Sequence, residues 1–202
     1  MQNHLFLAFS MLLIYSCSEG IEVPQSSTAD TSANSTLLDR DPFESNYKPL
    51  ESDRTLVKSV NLYDGLGNEY SNFDVLFDNG IIEEIGKDIV DNNAKIIDAK
   101  GKWLTPGLID IHSHMGVYPA PGVRTSSDGN EATSPNTAEV WAEHSVWSQD
   151  PQFSLALKGG VTAFHVLPGS ANLFGGRGAT FKNIPRNIIH DMKFPGAPHS
   201  LK

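Results

Sequence analysis

The segment KWLTPGLIDIHSH, which runs from Lys102 to His114, contains the strongest structural signal in the chain. Pro106-Gly107 predicts a turn, and the residues after it form a short strand. Ile109 and Ile111 lie on one face of that strand, and Leu108 lies on the other. Apolar residues on both faces are typical of a strand buried in a parallel sheet, which indicates an α/β fold.

Two histidines end this strand. His112 and His114 are two residues apart, so their side chains point to the same side. Neutral imidazoles on one face bind a divalent cation, most often zinc. Asp110 shares that face, and we expect its carboxylate to orient one imidazole. The alternative is a pair of histidines that only satisfy ordinary hydrogen bonds at a strand end.

The residues that follow predict a βαβ unit. Asn136 to Trp147 has a capping-box spacing and favours a helix. A second helix is expected from Asp150, a good N-cap, with Pro151 in its first turn and Gly159-Gly160 at its end. Val161 to Leu167 is then a second strand, and strand, helix, strand implies a parallel sheet with helices outside.

Residues 54–105 predict a small antiparallel β domain with a structural role. Its first strand places Leu56, Val60 and Leu62 on one face. Asn79-Gly80 lies between two apolar runs and is the strongest short-range signal for a hairpin.

Composition constrains the rest of the chain. The 202 residues carry a net charge of −9, which argues against a nucleic-acid-binding surface. A single cysteine excludes a disulfide framework and a cysteine-cluster metal site. Residues 18–53 hold eight acidic and two basic residues, seven serines and three threonines, without periodicity. We expect this segment to be a disordered acidic tether, with the folded part beginning near Arg54.

Residues 1–17 resemble a bacterial lipoprotein signal peptide. An apolar run from Leu5 to Ser16 is too short to span a bilayer and leads directly to Cys17. The resemblance implies lipidation of Cys17, a membrane anchor, and export to the periplasmic side of the cell envelope. Ser18 in the next position favours the outer membrane. The alternative is an ordinary secretory signal with an incidental cysteine.

The Pro-Gly-x-x-Asp-x-His-x-His pattern of Pro106 to His114, preceded by a β domain, resembles the start of a metal-dependent amidohydrolase. In that superfamily this segment is the first barrel strand and its histidines ligate the catalytic metal, which implies His112 and His114 here. Three further segments resemble the imidazolonepropionase-related branch: Asn130-Glu131-Ala132-Thr133, Gly159-Gly160-Val161-Thr162 and Leu167 to Gly178. The resemblance implies that residues 106–202 form the first part of a (β/α)8 TIM-type barrel.

A whole barrel of this type needs about 250 residues. Leu108 to Lys202 provides 95 residues, so we expect an incomplete barrel and the N-terminal part of a longer enzyme, inactive as this fragment. The resemblance places the remaining ligands on later strands: a bridging acid or lysine, two histidines, and an aspartate that is also the general base.

The resulting functional hypothesis is a metal-dependent hydrolase of carbon–nitrogen bonds other than peptide bonds. Its substrate would be a small amide or cyclic amide, and its cofactor a divalent metal, zinc above all. The residues leave open a deacetylating or peptide-cleaving enzyme and an imidazolonepropionase-like ring opener. The alternative is a non-catalytic lipoprotein that binds a metal or ligand with a partial barrel.

Three other features are candidates for the site. His165, on the second strand, is predicted to face the barrel interior and contact substrate. Arg177 is predicted to pair with a substrate carboxylate. The glycine-rich loop from Pro168 to Gly178 either lines the site with backbone N–H groups or is a structural turn. His144 lies with apolar residues on the expected first helix and is interpreted as a core or interface histidine.

Overall fold

The computed structural model describes residues 41–202. Within them, nine strands form two sheets, with one α-helix and three short 3-10 helices. The elements are β1 (Thr55–Tyr63), β2 (Glu69–Asp78), β3 (Ile81–Gly86), β4 (Lys95–Asp98), β5 (Trp103–Leu104), β6 (Leu108–Ser113), α1 (Pro151–Lys158), β7 (Val161–Val166), β8 (Arg177–Lys182) and β9 (Ser200–Leu201), and the 3-10 helices Arg124–Ser126, Ala142–Ser145 and Ile189–Asp191.

The first sheet has the order β3-β2-β1-β4, with β5 also paired to β1. The β1–β2 and β2–β3 pairs are antiparallel, whereas β4 and β5 run parallel to β1. The sheet is therefore mixed, and the prediction of a purely antiparallel domain is wrong. The predicted hairpin is confirmed, because Asn79 and Gly80 have φ values of 47° and 78° between β2 and β3.

A bulge in β1 changes which residues share a face. Ser59 has a φ of 57°, and the register with β2 shifts between Val57 and Val60. Val57 therefore packs in one cluster with Val60 and Leu62, while Leu56 packs in another. The prediction that Leu56 shares a face with Val60 is wrong, because strict alternation assumes an unbulged strand.

The second sheet has the order β6-β7-β8-β9 and contains the predicted βαβ unit. β6 and β7 are parallel and are joined by a connection that includes α1, while β8 and β9 add antiparallel pairs. The predicted N-cap is confirmed, since Oδ1 of Asp150 accepts a hydrogen bond from the backbone N–H of Gln152 at 2.9 Å. Phe153 of α1 stacks on Phe164 of β7 with ring centroids 5.0 Å apart, which places the core between helix and sheet.

The helix predicted from Asn136 to Trp147 does not form; only Ala142–Ser145 makes a short 3-10 helix. Backbone groups of this segment bond to the glycine-rich loop and β8 instead. Thr137 N–H donates to the Phe174 carbonyl at 2.8 Å, and the Val140 carbonyl accepts from Arg177 N–H at 2.7 Å. Tertiary pairing therefore overrides the local helical signal.

His144 is consequently exposed rather than buried on a helix face. Its ring meets Phe43 edge-on, with centroids 4.3 Å apart. The interpretation of His144 as a core histidine is therefore wrong.

The predicted tether is also shorter than expected. Residues 41–48 contact the second half of the chain: Asn46 N–H donates to the His190 carbonyl at 2.9 Å, and Ser45 Oγ donates to the Lys193 carbonyl at 2.6 Å. The prediction of disorder through residue 53 is therefore wrong from Asp41 onward. The predicted signal peptide, Cys17 and the first part of the predicted tether lie outside the described residues. No helix among residues 41–202 is long and apolar enough to cross a lipid bilayer.

The strand that carries the histidines is not buried. Among the described residues, β6 pairs only with β7 and forms an edge of its sheet. Leu108, Ile109 and Ile111 are 57%, 64% and 77% exposed. The parallel pairing is confirmed, but the predicted burial of β6 is wrong in the described chain, because nothing within residues 41–202 covers this edge.

Candidate metal centre

His112 of β6 and His114, which directly follows the strand, converge on a single point. Lys202 Nζ lies 3.1 Å from Nε2 of His112 and 3.5 Å from Nε2 of His114. The two imidazole rings are 5.3 Å apart and nearly perpendicular, at 79°. Both Nε2 atoms therefore present acceptor lone pairs to the same volume, which the lysine ammonium now fills.

The tautomer of His114 is set by the backbone. Its Nδ1 lies 2.9 Å from the Leu167 carbonyl oxygen, an atom that can only accept. Nδ1 therefore carries the proton, and Nε2 is left with a lone pair aimed at the convergence point. Such a second hydrogen bond is what orients metal-binding histidines.

Asp110 has a different partner from the one expected. Its Oδ1 accepts a hydrogen bond from the backbone N–H of His112 at 3.1 Å, within the same strand. The carboxylate thus supports the local backbone, and the orienting role expected of Asp110 belongs to the Leu167 carbonyl for His114.

Lys202 was not among the candidate residues, because no local motif marks it. Its backbone is held by the glycine-rich loop, through Lys202 N–H to the Gly176 carbonyl at 3.0 Å and Gly175 N–H to the Lys202 carbonyl at 2.5 Å. Gly176 has a φ of 122°, and a Cβ there would lie 2.8 Å from the Val140 carbonyl oxygen. The loop therefore acts as a close-packed structural turn that places Lys202, and the Gly175 N–H is occupied.

The other two candidates already have protein partners. His165 is half-buried, with Nδ1 2.8 Å from Thr180 Oγ1 and Nε2 2.6 Å from Ser200 Oγ. Burial lowers the pKa of His165, and His199 and His112 lower it further. The Arg177 guanidinium lies 4.7 Å from the centre of the Trp141 ring, in a cation–π contact. The predicted substrate contacts of His165 and Arg177 remain predictions.

A cavity of about 320 Å³ lies elsewhere in this half of the chain, and neither the two histidines nor Lys202 is among the residues that line it. Its lining includes Asn130 and Glu131, from one of the loop segments singled out in the sequence. Tyr118 links the cavity to the histidines, since its hydroxyl is hydrogen-bonded to the Asn130 side chain and its ring lies 5.7 Å from that of His114.

The donor set fits a metal in part. Among residues 41–202, no group of three or more histidine, cysteine, aspartate or glutamate side chains could hold a metal ion. His112 and His114 supply two converging imidazoles, and Lys202 is the third side chain at that point. Zinc hydrolases use three protein ligands and one open position, so the two imidazoles form part of such a site.

No family model matches the chain. Over 114 residues it is 39% identical to the amidohydrolase tasK of Hapsidospora irregularis, a match that covers 54% of this chain and 12% of that protein. Over 79 residues it is 37% identical to the dihydroorotase of Thermoanaerobacter sp. (strain X514), covering 39% of this chain and 18% of that protein.

Among solved structures, an amidohydrolase from Thermotoga maritima MSB8 superposes with a TM-score of 0.64 and 38% identity, covering 70% of this chain and 37% of that one. The chain therefore has amidohydrolase homology over part of its length, on a mixed α/β fold. It spans well under half the length of each of these relatives.

Proposed function

We propose that this chain carries the first barrel strands and part of the metal site of an amidohydrolase that hydrolyses a carbon–nitrogen bond. The observation that supports this proposal most directly is the convergence of His112 Nε2 and His114 Nε2 at the end of β6. The end of a parallel strand is where barrel enzymes place their chemistry. Homology to amidohydrolases and dihydroorotases, which are typically metal-dependent, supports the same reaction class.

In this proposal His112 and His114 hold a divalent metal, most suitably zinc, through Nε2. A bound zinc ion supplies an activated water at neutral pH and polarises the substrate carbonyl. The Leu167 carbonyl keeps His114 in the binding tautomer. Lys202 is our candidate for the bridging acid or lysine that the family resemblance implies. Its amine must first lose a proton, or lose two protons and add carbon dioxide to form a carbamate, since an ammonium has no lone pair. The general base is expected on a later strand.

The proposed substrate is a small amide or cyclic amide. The relatives named dihydroorotase favour a cyclic amide, and an imidazolonepropionase-like ring opener belongs to the same class of reaction. The proposal also includes lipidation of Cys17, which would anchor the protein on the periplasmic side of the outer membrane. This part is supported by the sequence pattern alone.

One observation favours a non-catalytic alternative. The described residues supply two imidazoles, whereas zinc hydrolysis needs three protein ligands. A lipoprotein that binds a metal or small ligand without turnover would need no more than these two imidazoles.

The test is zinc affinity measured against a competing chromogenic chelator, beside turnover of a panel of linear amides and dihydroorotate. His112→Ala and His114→Ala should each weaken zinc binding at least tenfold, because a lost ligand costs more than the roughly 10–100-fold of an indirect change. His190→Ala is the matched control, since this histidine lies near Phe43. Zinc affinity that is equal in all three variants would refute the metal site. Because the general base is expected on a later strand, turnover is measured on a chain that includes the later strands. Zinc binding by that longer chain without turnover of any amide would favour the non-catalytic alternative.

A further inference from the structure

β9 is too short to fix its own position. It contains two residues, Ser200 and Leu201, which pair with Gly178 and Arg177 at the start of β8. A two-residue ladder offers few backbone hydrogen bonds, and each contributes only about 0.5–1.5 kcal/mol net. Lys202 follows directly. Its backbone is bonded to Gly175 and Gly176 of the loop, and the position of its side chain depends on these bonds together with what else holds β9.

A side-chain contact across β8 supplies that hold. His165 on β7 and Thr180 on β8 are register partners, as are Gly178 on β8 and Ser200 on β9. The His165 ring contacts both neighbouring strands: its Nδ1 lies 2.8 Å from Thr180 Oγ1 on β8, and its Nε2 lies 2.6 Å from Ser200 Oγ on β9.

Gly178 makes this contact possible. A Cβ at this position would lie 2.8 Å from His165 Nε2 and 2.7 Å from the Val166 carbonyl oxygen. Any larger residue would therefore push the imidazole away from Ser200. The φ of Gly178 is not in the left-handed region, so its role is to leave space.

His165 has no ring nitrogen left for another partner. Its lowered pKa keeps it neutral at pH 7, with one nitrogen that donates and one that accepts. Thr180 and Ser200 satisfy both. The geometry is therefore that of a residue that holds the protein together, rather than one that contacts substrate.

We propose that His165 is a positioning residue, which holds Ser200 and thereby keeps Lys202 beside His112 and His114. Ser200 and Lys202 are two apart on an extended segment, so they share a face of the sheet. We call the His165–Ser200 contact the β9 latch. Its effect on metal binding rests on the proposed function, whereas its effect on the position of Lys202 does not.

The first measurement is the rate at which an amine-reactive ester acetylates Lys202, followed by peptide mass spectrometry on the metal-free chain. Ser200→Ala and His165→Ala should each raise this rate about tenfold, since Nζ leaves its two imidazole acceptors. Ser200→Thr retains the hydroxyl and should restore the slow rate. Buried Lys193 provides an internal reference that should stay unmodified.

Ser45→Ala is the matched control. It removes a hydroxyl contact of the same 2.6 Å length, to the Lys193 carbonyl. It should lower stability without changing either Lys202 acetylation or zinc affinity. The second measurement is zinc affinity, which Ser200→Ala should weaken about tenfold, as expected for a residue that acts through a ligand.

The outcomes separate the two proposals. If Ser200→Ala and His165→Ala match Ser45→Ala in both measurements, the latch is refuted. If both speed acetylation while His112→Ala leaves zinc binding intact, the latch stands and the proposed metal site fails. If acetylation speeds up and zinc affinity depends on His112 but not on Ser200, Lys202 is not part of the metal site. The proposed effect of the β9 latch on metal binding is then overturned.

Discussion

The strongest stability prediction concerns a buried lysine far from the candidate site. Lys193 Nζ lies 2.5 Å from Glu143 Oε2, 2.8 Å from Asp41 Oδ1 and 2.6 Å from the Phe43 carbonyl oxygen. The ammonium donates hydrogen bonds to Asp41 and to the Phe43 carbonyl, and it forms an ion pair with Glu143. The side chains of Lys193 and Glu143 are 4% and 0% exposed, whereas that of Asp41 is 31% exposed. Burial would raise the pKa of Asp41, but Lys193 and the Phe43 N–H lower it below its ordinary value.

Lys193→Met removes the charge and leaves the Glu143 carboxylate buried without a cation. Neither carboxylate oxygen of Glu143 has a hydrogen-bond partner within residues 41–202, so the charge of Lys193 is what stabilises this carboxylate. Breaking a buried pair from one side costs about 3–5 kcal/mol. Glu143→Met should cost less, because the ammonium keeps Asp41 and the Phe43 carbonyl. Asp41→Asn should cost about 1 kcal/mol or less, since Asp41 is partly exposed and screened.

The assay is urea unfolding followed by circular dichroism, with the single variants and the Lys193→Met/Glu143→Met double variant. The double variant should lose less free energy of unfolding than the sum of the two singles, with a coupling of about 2 kcal/mol or more, because no unpaired charge remains. A Lys193→Met cost below about 1 kcal/mol, or strict additivity in the cycle, would refute this account of the cluster.

Two further predictions concern association and location. Ile109→Lys or Ile111→Lys should shift the chain toward smaller species in analytical ultracentrifugation, because a charge on an exposed apolar edge strand opposes edge-to-edge pairing. Leu66→Lys, at an exposed turn, is the control. Equal sedimentation of all variants would argue against β6 as the edge through which chains associate. Cys17→Ala should move the chain from the membrane fraction of a bacterial host to the soluble fraction, since stable anchoring needs acyl chains. It should also abolish incorporation of labelled fatty acid. An alanine variant that stays in the membrane fraction would contradict the lipoprotein hypothesis.

Features with a local physical cause could be predicted from the sequence. The Asn79-Gly80 hairpin depends on two residues that tolerate positive φ, and the N-cap at Asp150 depends on one side chain and the next turn. The shared side of His112 and His114 follows from strand alternation alone, and the structure brings both Nε2 atoms to one point. In each case the interacting groups lie within a few residues of one another.

Features that depend on distant partners could not be predicted. Lys202 reaches His112 across 90 residues of sequence, and Asp41 reaches Lys193 across 152. The segment from Asn136 to Trp147 has a helical pattern, but the backbone of β8 and its loop takes its hydrogen bonds. A single-sequence pattern carries no information about such pairs, because either member alone is an ordinary polar residue.

β6 shows how a pattern can predict orientation correctly and burial wrongly. Alternation assigns Asp110, His112 and His114 to one face, and Ile109 and Ile111 to the other, whatever surrounds the strand. Burial is a property of the neighbours, and within residues 41–202 this strand has one neighbour, β7. The polar face therefore forms the candidate centre with β9, while the isoleucines stay exposed. A further strand paired with β6 would place its own residues beside the two imidazoles, whereas the isoleucines would be covered only by an element packed on that face of the sheet.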